Sequence, residues 1–118
     1  MLTGALLGIV EDAAHAILTL TDGVDDATLF SLRLTRDEAI RRLIVIADSL
    51  GNLPADAAAA LSSLDRDGWA MTARGLHSIQ RDTVDEALAF GVRSLVPALI
   101  LNLRRYRRSH PDLFVFKP

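Results

Sequence analysis

From Leu2 to Arg108 the apolar residues of this chain return every third or fourth position, with only short polar breaks. That rhythm collects them on one side of an α-helix and would scatter them over both faces of a strand. Leu6, Val10, Ala13, Ala14, Ile17 and Leu20 make the first stripe, with Glu11, Asp12 and His15 mostly off it. The spacing predicts a helix over about 2–21. Asp22-Gly23 closes it, because glycine enters the left-handed C-cap conformation without a steric penalty. Residues 25–32 hold a short helical turn.

Thr35-Arg36-Asp37-Glu38 reads as a capping box that opens the clearest helix, 35–50. Ile40, Leu43, Ile44, Ala47 and Leu50 share one face, and Gly51 ends the run. Val45 and Ile46 widen the apolar surface and predict burial on two sides, a partner subunit being one candidate for the second. Pro54 suits the first turn of a third helix, 54–64, with Asn52 as its candidate cap. Asp65-Arg66-Asp67-Gly68 reads as a turn, and a fourth helix follows over 69–81. After a joint at 82–84, or a cap at Asp82, the last helix covers 85–108 and kinks at Pro97. Ser109-His110-Pro111 stops it. In the tail, 109–118, Leu113, Phe114, Val115 and Phe116 are apolar enough to dock on the bundle or on a neighbour.

These elements define an all-α chain, and its length of 118 residues predicts a single domain, 1–118. Half of the residues are hydrophobic but only 5% are aromatic, so the core must be built from Leu, Ile, Val and Ala. The absence of cysteine excludes disulfides, thiolate metal sites and a cysteine nucleophile. It is compatible with a cytoplasmic location. Glu11, Asp12 and His15 interrupt the first apolar stretch, which argues against a signal peptide or a membrane span. The net charge of −2 hides an asymmetry: residues 1–60 carry four Arg against nine acidic residues, residues 61–118 eight Arg and one Lys against six.

Few residues suggest chemistry. Arg74, His77, Ser78 and Arg81 fall at i, i+3, i+4 and i+7 of the fourth predicted helix, so they would share one face. An arginine can hold a phosphate and a histidine can move a proton near neutral pH. The alternative is a solvated face opposite Trp69, Ala73, Leu76 and Ile79. The run Arg104-Arg105-Tyr106-Arg107-Arg108 offers phosphate contacts around one aromatic ring, as RNA binding could use. The competing reading is a cationic cap on the helix dipole. His15, His77 and His110 lack metal-ligand spacing, and no glycine-rich phosphate loop is present, so neither a metal nor another cofactor is expected.

Two stretches carry a family resemblance. In 35–50, Thr35, Asp37, Ile40, Arg41, Leu43, Val45, Ile46, Asp48 and Ser49 correspond to a Thr, an acidic residue, then IR-x-L and II-x-E-A. Trp69 is the second anchor, followed by Val84-Asp85 for a VD and Val96-Pro97 for an LP that comes one residue early. Across about 9–99 the chain resembles the HepT branch of the HEPN proteins. The resemblance implies an antiparallel four- to five-helix bundle that dimerises. It also implies an RNase site of Arg, four residues, His, and a Tyr two further on, near the dimer interface. In that family a nucleotidyltransferase antitoxin can modify the Tyr and silence the toxin. Counted from Trp69, the three motif positions fall on Leu76, Arg81 and Thr83. Leucine can supply neither charge nor proton, arginine stays protonated, and threonine lacks the phenol. The motif is degenerate.

Three readings follow. The first is a catalytically degenerate, dimeric HepT-like scaffold that binds a nucleotidyltransferase or RNA, Arg81, Arg104, Arg105, Arg107 and Arg108 being its candidate RNA contacts. The second is an active RNase with a relocated site at Arg74, His77 and Arg81. The third is a structural helical subunit of a larger assembly.

Overall fold

The first stripe folds as its spacing predicts. α1 spans Leu2–Thr21 and buries Leu7, Val10, Ala14 and Ile17 completely. It ends at a turn in which Gly23 takes a φ of 70°, the left-handed conformation expected there. α2 is one short helix, Asp26–Ser31, capped by Asp25, whose carboxylate accepts the Thr28 N–H at 2.8 Å. These elements belong to a computed structural model that describes residues 2–115.

The predicted capping box does not form. α3 spans Arg33–Gly51, so Thr35 lies inside its first turn. Leu32 ends α2 with its N–H on the Thr28 carbonyl and starts α3 with its own carbonyl, which accepts the Arg36 N–H. A one-residue break leaves no loop for Thr35 to cap. Glu38 instead accepts from Arg41 and Arg42.

The surplus apolar surface of α3 is covered in part within the chain. Ala39, Leu43, Ile46 and Leu50 are fully buried, while Ile44 and Val45 pack against the core from its edge. α3 packs against both α1 and α5, Arg66–Leu76. α1 and α3 run antiparallel, since Ala16 and Leu20 near the end of one face Glu38 and Arg42 near the start of the other. The third predicted helix is shorter than expected. α4 spans Ala55–Ala60 and a 3₁₀ turn takes Ser62–Leu64. Pro54 is its N-cap, and Asn52 caps the end of α3, its side-chain amide donating to the Asp48 carbonyl at 2.9 Å.

α5 is displaced toward the N-terminus relative to the prediction. Asp65, at a φ of 58°, caps it by accepting the Gly68 N–H at 3.1 Å, and this recruits the expected turn residues into the helix. The helix then stops at Leu76, well before Arg81. The last predicted helix begins earlier, as α6, Arg81–Phe90, and continues through a π turn, Gly91–Leu95, into α7, Val96–Ser109. In the π turn the Val96 N–H reaches five residues back to the Gly91 carbonyl. The irregularity stands where Pro97 can offer no N–H to the regular ladder. Gly91 lets α3 approach: a Cβ there would lie 2.9 Å from a Leu43 methyl.

The tail docks in part. Pro111–Phe114 form a 3₁₀ turn, with Leu113 and Phe114 half-buried against the core. Val115 is exposed, and Phe116 lies outside the described residues. The described residues form helices and short joints, with no strand among them, as expected of an all-α protein. α1, at 20 residues, is also long and apolar enough to cross a membrane. In this structure its Leu7, Val10, Ala14 and Ile17 face is core.

Candidate functional site

The end of α5 separates the residues that the sequence spacing had placed together. Arg74 lies in the last turn of α5, His77 is its C-cap, and Arg81 opens α6 after a bend at Ser78-Ile79-Gln80. The four residues therefore share no helix face. The expected apolar face fails at the same point. Trp69 and Leu76 are core, but Ile79 is fully exposed because the helix has ended before it.

The structure keeps Arg74 and His77 together. Both line an open groove of about 480 Å³ between α3 and α5, with Asp48 and Asn52 on the opposite wall. The sequence offered no signal for those two as neighbours of His77. Their proximity arises from the end of α3 meeting α5, where Arg66 donates from Nε to the Leu50 carbonyl at 2.8 Å. A cation, an imidazole and a carboxylate around one groove could in principle meet a phosphate and move a proton. No hydrogen bond joins these side chains among the described residues.

Arg81 points elsewhere. Its guanidinium donates to the Phe30 carbonyl at 2.8 Å and stands 3.8 Å from Asp85. Asp85 in turn holds Arg36 at 2.9 Å, in a pair only 14% and 19% exposed. Arg81 and Asp85 thus tie α6 to α2 and α3. The remaining motif positions are also structural. Leu76 is 6% exposed inside the core, and Thr83 is half-buried at the α5–α6 groove with its hydroxyl 3.4 Å from the Gln80 amide oxygen.

The basic run loses its aromatic partner. The Tyr106 hydroxyl accepts the Ser63 N–H at 3.0 Å and its ring meets His110 edge-on, so it is engaged within the chain. Arg107 pairs with Glu11, and its guanidinium stacks 4.8 Å above the Phe114 ring. Arg104, Arg105 and Arg108 are exposed, with no ion pair among the described residues. Charge elsewhere is used locally. Hydrogen bonds from Arg41 and then Arg42 hold the Glu38 carboxyl below its ordinary range. The Thr28 hydroxyl and N–H do the same for Asp25. No family model, curated protein or solved structure matches this chain.

Proposed function

We propose that this chain is a HepT-like helical scaffold, cytoplasmic and homodimeric, that binds a nucleotidyltransferase-type protein partner without cutting RNA. The burial of Leu76 carries this reading. The position at which the family resemblance demands a catalytic arginine is a core position here, so the polypeptide has committed it to packing. Arg81 and Thr83 support the same reading, since each serves an inter-helix contact or a groove wall. RNA is a weaker ligand candidate than protein, because Tyr106 and Arg107 are engaged inside the chain.

A second reading, an RNase with a relocated site, is favoured by one observation: Arg74 and His77 share the α3–α5 groove with Asp48. Arg81 has no place in such a site. RNA cleavage by the purified protein, beside His77→Ala, Arg74→Ala and Arg81→Ala, separates the two. The scaffold reading expects no cleavage of RNAs of varied sequence and structure. Cleavage that His77→Ala and Arg74→Ala abolish, and Arg81→Ala leaves intact, would replace it with the relocated site.

A further inference from the structure

The α6–π–α7 rod, Arg81–Ser109, carries one long exposed stripe opposite its buried face. Along it lie Asp82 and Glu86, then Phe90, Ser94, Pro97 and Leu101, then Arg104, Arg105 and Arg108, all exposed. In a plain α-helix a stripe spaced by four drifts about 40° per step, at 3.6 residues per turn. The π turn at Gly91–Leu95 adds a wider turn and draws the stripe back into line. The stripe is acidic at its start, basic at its end and apolar or small in the middle. The one charge between Ala87 and Leu103, Arg93, is already paired with Asp26 at 3.0 Å.

We infer that this face is an interface between two copies of this chain, packed antiparallel about a two-fold axis between Ser94 and Pro97. The pattern is its own complement under that operation, as an isologous contact requires. Reversing the rod about this centre brings Asp82 opposite Arg108 and Glu86 opposite Arg104 and Arg105. Phe90 meets Leu101, and Ser94 meets Pro97. Phe90 and Leu101 are 50% and 51% exposed in the single chain and would bury each other twice across the pair. Ser94, Pro97 and Ala98 are small enough to let the rods approach at the crossing. A parallel pairing would instead stack acid on acid and arginine on arginine. The charged ends thus select one orientation. The inference rests on the homodimeric part of the proposed function, whose face and register it specifies, and is independent of whether the chain cuts RNA.

Sedimentation equilibrium at low and high salt, on the wild-type chain and three variants, tests it. The wild type is expected to dimerise, more tightly at low salt. Glu86→Arg, which places like charges together twice per dimer, is expected to weaken dimerisation by about tenfold or more. Glu86→Arg combined with Arg104→Glu and Arg105→Glu restores complementarity and is expected to recover the dimer, which a merely misfolded variant would not do. Leu101→Glu is expected to give a monomer with an unchanged circular-dichroism spectrum. A monomeric wild type would overturn both the inference and the homodimeric reading, whereas a dimer indifferent to Glu86→Arg and Leu101→Glu would overturn the inference alone.

Discussion

Leu76 shows how one residue can belong to two descriptions at once. By the family resemblance it stands where an arginine would be expected, and in the fold it is part of the core with Trp69 and Leu88. The second description has consequences for any attempt at restoring the first. Leu76→Arg would put an unpaired charge into a site that excludes water. It is expected to lower unfolding free energy by about 3 kcal/mol or more, read as a reduced urea midpoint, and to give no RNase activity. An unchanged midpoint would show that the position is not core. The helical turn that carries Leu76 is equally informative for its neighbours. Its end at His77 decides that Arg81 faces α2 and not the groove, which no side-chain property of Arg81 could reveal.

Element boundaries are where the sequence reading and the structure part company. Thr35-x-x-Glu38 has the residues of a capping box, yet α2 runs into α3 with a one-residue break at Leu32, so the cap has no turn to close. Asp65 reads as part of a turn in the sequence and is an N-cap in the fold, at a positive φ that sequence spacing does not reveal. Asp25 is a second side-chain cap, and it makes α2 sensitive to acid. Its folded-state pKa lies below the ordinary carboxylate value near 4, so the charged form favours the folded helix. That contribution is complete above the ordinary value and is lost as pH falls through the lowered one. Protection of the Thr28 amide against exchange is therefore expected to drop below about pH 4. In Asp25→Ala it should be weak at every pH. Protection that does not vary with pH in the wild type would contradict the capping role.

At the scale of the molecule, the helices close on one contiguous core within extents of 41 × 26 × 24 Å. Trp69, the one tryptophan, is 1% exposed in that core and sits at the start of α5. It reports on the packing of α5 against α3. If the core melts as a unit, Trp69 fluorescence and far-ultraviolet circular dichroism should give superimposable urea transitions. Separate transitions would mean that α5 detaches before the other helices lose their backbone structure. The tail has a smaller stake in this core. Leu113 and Phe114 pack on it from outside and Val115 is exposed.

That this chain is helical, and roughly where each helix lies, can be read from the residues alone, because 3.6-residue periodicity is a local property written into neighbouring side chains. The sequence also places Leu, Arg and Thr at 76, 81 and 83, where the family resemblance would call for Arg, His and Tyr. Which chemical groups meet is settled by the packing of the helices. Arg74 and His77 face Asp48 because α3 ends against α5, and Arg81 serves α2 because α5 stops at Leu76. Helix ends are set by competition between caps, adjoining turns and core packing. Those energies of about 1 kcal/mol each depend on residues far apart in the chain. A shift of a few residues at one end rotates every later side chain to another face. The periodicity was therefore legible in the sequence, and the site required the fold.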